Sequence, residues 1–331
     1  VCAALVATLY ASASMAAPPD FRAVLDEAER VSYQAHWRDA QALLDEIAPA
    51  IDEADLREYA DFQLLQARHL VLDDRTEEGL ALAQTLLQRD LSPDQRVRAL
   101  QFSANIAVLL RRYESAFESL GEALSIETEV DDPEAVIAIL NIAAYMFGRV
   151  GEYELGIEYG ERALALAREI DRPQEACVSL QRLAPVYKWA EQVENAERTY
   201  RAGIEVCAQV GNSLFVGVHQ QGLADLLRQQ SRLDEALRLA EDAVAALKDA
   251  VYILGEYESR LVRAEILQDL GRLGEGWDDE LARLRDFFIE RSLWDQTARL
   301  NLLKSKRADT SGEFESALGH LYDYIDARAT F

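Results

Sequence analysis

Equivalent residue types recur along this chain at a spacing of 40 residues. Pro93, Pro133 and Pro173 form one column, and Ala104, Ala144, Ala184, Ala224 and Ala264 form a second. Ala116, Gly156, Ala196, Ala236 and Gly276 make a third, always small. Tyr113, Tyr153, Val193, Leu233 and Leu273 make a fourth, always large and apolar. One alanine column could arise by chance in so alanine-rich a chain, but four columns in one phase are hard to dismiss. A fixed period of this size marks a stacked array, in which each unit buries its apolar face only against its neighbours. The 331 residues therefore read as one array, although length alone suggests two ordinary domains. The phase continues in both directions with small slips, through Phe314 and Ala317 downstream and through Thr76, Gly79 and Ala67 upstream. Trp37 and Ala40, with Ala28, begin it, which gives eight units from about Phe21 to Phe331.

Each unit reads as two helices. In the unit opened by Pro133, Asp132 is placed to cap, and proline fits the first helical turn, where its missing N–H costs nothing. Ile137, Leu140, Ala144 and Phe147 then follow at helical spacing. A turn at Arg149–Glu152 leads to a second apolar stripe of Tyr153, Ile157, Ala163, Leu164 and Leu166. Asp171, Arg172 and Pro173 end that helix and start the next unit. Ala144 and Gly156 are small so that the two helices can approach closely. The same folding-back puts position 177 opposite 206, because the intervening turn is centred near Glu191 and Gln192. The sulfurs of Cys177 and Cys207 could thus meet, although two separate small core residues are the plainer reading.

These columns resemble the tetratricopeptide repeat. The match is a small residue on the first helix, a glycine-containing turn, an aromatic and then another small residue, here Ala144, Gly151, Tyr153 and Gly156. Ala224, Ser231, Leu233 and Ala236 repeat it, and the likeness covers nearly the whole chain after residue 20. The period is longer than the usual 34 residues of that family. The resemblance implies an all-α, right-handed superhelical solenoid of eight antiparallel helix pairs.

Composition fits this reading and narrows the partners. Half the residues are hydrophobic, with only 7 prolines and 16 glycines, so the chain can bury a core. Its net charge of −25 repels phosphate backbones and anionic headgroups, so nucleic acid is not an expected partner; the charge reads first as solubility, with a basic partner as the sharper alternative. No Walker loop, dinucleotide-binding glycine pattern, zinc-protease helix or nucleophile elbow occurs. The glycine-rich run Gly271–Gly276 sits at a repeat turn. His36, His69, His219 and His320 lie in different units without metal spacing. No enzyme activity, cofactor or metal is expected of the chain itself.

Residues 1–16 are a short apolar run ending in small residues, followed by Pro18 and Pro19. They read as the later part of a secretory signal peptide whose basic start is missing, with residues 17–331 as the solenoid. This predicts export, and it predicts that residues 1–16 do not pack with the solenoid.

In tetratricopeptide proteins the first helix of each unit lines the concave surface, and the resemblance implies which residues do so here. Three positions before the alanine column stand Gln101, Asn141, Gln181 and Gln221, a row of amides that Leu261 breaks. Just after that column stand Asn105, Tyr145, Pro185, Asp225 and Glu265. Arg149, Lys188, Trp189 and Arg228 lie near the helix ends. Amides donate and accept, so a ladder of them flanked by cations suits a protein or peptide backbone or a small anionic ligand. A solvated inner face, which needs polar residues anyway, is the competing account. Pro185 removes a helical hydrogen bond and is expected to bend its helix.

The layout also resembles the periplasmic part of bacterial membrane-bound diguanylate cyclases with a GGDEF output domain. There a signal peptide precedes a tetratricopeptide array, a membrane helix and the catalytic domain. By that resemblance the chain is the periplasmic sensor region of such a protein, truncated at its C-terminus and membrane-anchored only through a segment beyond it. A free-standing periplasmic scaffold or chaperone adaptor, and a cytosolic peptide-binding regulator, are the alternatives.

Overall fold

The computed structural model describes residues 20–33 and 36–330. Residues 1–16, read above as a signal remnant, lie outside them. The described residues hold sixteen α-helices, two short 3-10 turns and no strand. The helices pair in chain order: α1 (Phe21–Tyr33) with α2 (Trp37–Ile47), α3 (Leu56–Leu72) with α4 (Thr76–Leu86), and α5 (Pro93–Leu109) with α6 (Tyr113–Ser125). Then come α7 (Pro133–Arg149) with α8 (Tyr153–Glu169), α9 (Pro173–Trp189) with α10 (Val193–Gln209), and α11 (Ser213–Gln229) with α12 (Leu233–Asp249). The last pairs are α13 (Ile253–Asp269) with α14 (Asp278–Glu290), and α15 (Trp294–Thr310) with α16 (Phe314–Thr330). This is a tetratricopeptide-like helical solenoid of eight pairs.

Local chemistry sets the helix ends. Ser92 and Gln95 form a reciprocal capping box in front of α5, with Pro93 in its first turn. Asp132 accepts from the Glu134 N–H ahead of α7, again with proline in the first turn. The C-terminal ends reveal a finer period than the sequence columns. Asp171, Glu191, Gly211, Ser231, Val251 and Gly271 all take positive φ, at intervals of 20 residues. Each is followed by a backbone N–H that reaches five residues back to satisfy a helix-end carbonyl, as from Gln192 to Tyr187 and from Tyr252 to Leu247. Helix, left-handed residue and cap form the half-repeat.

The small columns lie where helices touch. Ala104, Ala144, Ala184, Ala224 and Ala264 are fully buried. A side chain at Gly156 would come within 2.9 Å of the Ala144 carbonyl oxygen, which explains why that position has none. Gly276 departs from its column. A side chain there would meet nothing, because Glu275–Trp277 form a 3-10 turn and α14 starts only at Asp278. Gly271, Gly274 and Gly276 together disfavour the helical start that the column predicted. α9 runs unbroken through Pro185.

The array curls until distant units meet. The Tyr33 hydroxyl at the end of α1 reaches Glu175 in the first turn of α9. Arg182 on α9 donates to Asn105 Oδ1 on α5 at 2.9 Å. Arg291, between α14 and α15, pairs with Asp74, between α3 and α4, at 2.7 Å. Repeats that contact only their neighbours would make none of these contacts.

Candidate functional site

The curl encloses a concave cavity of about 330 Å³ lined mainly by the first helices of units one to five. Its floor is apolar where Leu64, Leu65, Phe102, Ala138 and Val178 contribute. Its polar groups are set on successive first helices by the repeat itself. Asn141 is only 3% exposed, and neither its carbonyl oxygen nor its amide nitrogen has a hydrogen-bond partner. A buried amide with both ends unmet is costly, on the order of 1–3 kcal/mol, and native proteins seldom keep one without a use.

Two charged groups share this wall. Glu175 accepts from Tyr33 and makes no ion pair among the described residues. Burial raises its carboxyl to about 7, and the neighbouring Glu134 adds to the effect. Arg182 also lacks an ion-pair partner among the described residues. It donates to Asn105 and lies over the Tyr145 ring, 5.2 Å from its centroid. Burial lowers its pKa. Arg68 lines the cavity from α3, with its guanidinium 5.5 Å from the centroid of the Phe102 ring. The other lining arginines are already paired, Arg22 with Asp61 at 2.6 Å and Arg98 with Asp132.

The expected groove residues separate into four groups. Gln101, Asn105 and Asn141 line the cavity. Tyr145, Arg149 and Trp189 form a stack beside it, with Arg149 over the Trp189 ring and Tyr145 tilted against it at 5.7 Å. Gln181 and Gln221 do not line it. The Gln181 oxygen is buried without a partner, and the Gln221 oxygen accepts from Ser259 at 3.2 Å. Exact spacing puts equivalent residues on equivalent faces. The curl of the array then carries those faces past the cavity, which crosses the helices obliquely.

Lys188, Asp225 and Arg228 belong to an internal charge network. Asp225 pairs with Lys188 and, at 3.2 Å, with Arg228, while Arg299 lies 3.6 Å away. Arg228 and Arg299 also hold Glu265, the latter at 2.6 Å. Burial alone would raise the Asp225 carboxyl, but Lys188, Arg299 and Arg228 outweigh it and hold it well below the usual carboxylate range. The Lys188 and Arg228 cations are therefore engaged by the protein's own carboxylates.

The residues that dominate the wall, Glu175, Arg182 and Tyr33, were not singled out from sequence. Glu175, Val178 and Arg182 do share one face of α9 by spacing, which was the available signal. The Cys177 and Cys207 sulfurs are bonded, with Cα atoms 5.0 Å apart, and tie α9 to α10 directly behind that wall. Of the histidines, His69 is buried between Gln41 and Ser32, and His219 is buried against Tyr200. Among the described residues no group of three or more His, Cys, Asp or Glu side chains is placed to hold a metal, and no helix is long and apolar enough to cross a membrane.

Residues 174–249 match the tetratricopeptide repeat family model. No curated protein matches the sequence. Among solved structures, the chain is similar to a Rap protein complexed with Competence and Sporulation Factor, at 14% identity and a TM-score of 0.62, covering 94% of this chain and 98% of that one. It is similar to aspartyl phosphate phosphatase F from Bacillus subtilis, at 12% identity and a TM-score of 0.62, over 93% and 94% of the two chains. It is also similar to NprR in complex with its cognate peptide NprX, at 16% identity and a TM-score of 0.57, over 92% and 88%.

Proposed function

We propose that this tetratricopeptide-type interaction module is a peptide sensor, with the cavity between the first helices of units one to five as its binding site. Asn141 carries the proposal. A peptide bond supplies the donor and the acceptor that its buried amide lacks. Two of the similar solved structures are, by their descriptions, complexes with Competence and Sporulation Factor and with the peptide NprX. The test is capture of peptides from a random heptapeptide mixture by the purified protein, read by mass spectrometry. Wild-type protein is expected to retain a defined subset and Asn141→Leu to lose it. An unselective or empty capture, or one unchanged in Asn141→Leu, overturns the reading.

The finer context we propose is the extracytoplasmic input region of a bacterial signalling protein, such as a diguanylate cyclase. The Cys177–Cys207 bond supports export, because disulfides persist in oxidising compartments and are rare in the cytosol. Alkylation of the protein in intact cells tests this. Cys177 and Cys207 reacting without prior reduction would overturn it and favour the cytosolic regulator.

A further inference from the structure

Glu175 and Arg182 lie seven residues apart on one face of α9, and both line the cavity. At 1.5 Å per residue their levels are about 10 Å apart. Ala138 and Val178 form the apolar level between them, and Asn141, on the adjacent α7, stands toward the Arg182 end. Glu175 is a part-buried carboxyl with no ion pair among the described residues, flanked by Glu134 and, more distantly, Glu29. Arg182 is a part-buried guanidinium with no carboxylate partner among the described residues, its acceptor there an amide oxygen. Each charged form lacks the opposite charge that burial requires, since buried charges are stable only when paired. The two deficits are of opposite sign and sit at opposite ends of a short apolar strip. Arg68 does not cancel the first. It faces the Phe102 ring, and its influence leaves the Glu175 carboxyl raised.

Building on the peptide reading above, we propose that the cavity holds a short zwitterionic stretch of peptide, with an amine on Glu175, a carboxylate on Arg182 and an intervening amide on Asn141. At about 3.3–3.6 Å per extended residue, a separation of about 10 Å corresponds to three residues. The charges come either from the free ends of a tripeptide or from a basic and an acidic side chain at that separation within a longer one.

Isothermal titration of the full chain with four peptides tests this: Ala-Leu-Ala, its N-acetylated form, its C-amidated form, and N-acetyl-Lys-Leu-Asp-amide. Loss of one charge-assisted contact is expected to weaken binding about tenfold or more. If the free ends are the source, wild-type protein binds Ala-Leu-Ala and loses affinity on either capping. Glu175→Gln becomes indifferent to acetylation, and Arg182→Met to amidation. If side chains are the source, the Lys-Leu-Asp peptide binds and the same two variants weaken it. Should a variant fail to fold, the capping comparison on wild-type protein decides alone. Equal binding of capped and uncapped peptides overturns this proposal while leaving the peptide reading intact. So does failure of all four when heptapeptides are still captured and Glu175→Gln does not affect them. Failure of both the four peptides and the heptapeptide capture overturns the two readings together.

Discussion

The Tyr33 hydroxyl donates to Glu175 Oε1 over 3.2 Å, joining the first helix of the array to the first helix of its fifth unit across 142 positions of chain. Burial, with Glu134 nearby, raises that carboxyl from 4.5 to about 7 against the lowering effect of the Tyr33 hydrogen bond. Between those values the folded protein binds more protons than the unfolded one, so Glu175 makes stability fall as pH rises through that window. His69 and His219, both lowered to about 4 by burial, tilt the curve the other way. The difference between wild type and Glu175→Gln isolates the carboxyl. The variant is expected to be more stable at pH 8, by on the order of 1–3 kcal/mol, with the gap closing below pH 4.5. Urea unfolding at a series of pH values reads it.

Asn141→Leu separates stability from binding. Replacing a buried amide that has no partner removes a desolvation cost, so the variant is expected to unfold at higher urea, by about 1–2 kcal/mol. The same variant loses peptide capture. A variant that is both less stable and binding-deficient would mean that Asn141 is a structural residue.

Cys177 and Cys207 close a loop with a sequence separation of 30, and such a crosslink contributes about 2–4 kcal/mol. Reductant is expected to lower the melting temperature of the wild-type chain and to leave that of a Cys177→Ala/Cys207→Ala variant unchanged.

Asp225 is expected to be the most sensitive surface-distant charge. Removing it strands Lys188 and leaves Arg228 and Arg299 with one fewer carboxylate, so Asp225→Ala should cost about 3–5 kcal/mol. Its depressed pKa stabilises the fold above the ordinary aspartate range, and this is lost as pH falls through the folded value. The acid limb of the stability curve is therefore expected to flatten in the variant.

Val251 is a β-branched residue at φ 55, where its neighbours in the 20-residue series include Gly211 and Gly271. Val251→Gly is expected to stabilise the α12–α13 turn by about 1 kcal/mol, measured by chemical unfolding. At Gly203 the sign reverses. An added side-chain carbon would lie 2.2 Å from the His219 ring, so Gly203→Ala should destabilise by about 1–3 kcal/mol. His219→Ala is expected to relieve most of that cost.

Sequence periodicity carried the helix pairs, the small contact columns and half of the amide row. It did so because those features depend only on position within one unit. Glu175, Arg182 and Tyr33 escaped it because their meeting depends on the rotation accumulated over several units, which no single unit encodes. Lys188 and Arg228 looked like ligand cations for the same reason. Their carboxylate partners, Asp225, Glu265 and Asp269, come from following units and appear only once the units are stacked. Gly276 shows the opposite failure. There the period held in the letters, and the local backbone declined to follow.

The meeting of Asp74 with Arg291 has a mechanical consequence. A chain of repeats that touch only their neighbours can fray from either tip, one unit at a time, like a zipper. Here the loop of unit two is tied to the junction of the seventh and eighth, so units near the two ends hold each other. Pulling on the two ends would meet a coil whose turns are fastened to each other, and it should let go in fewer, larger steps than its eight pairs suggest.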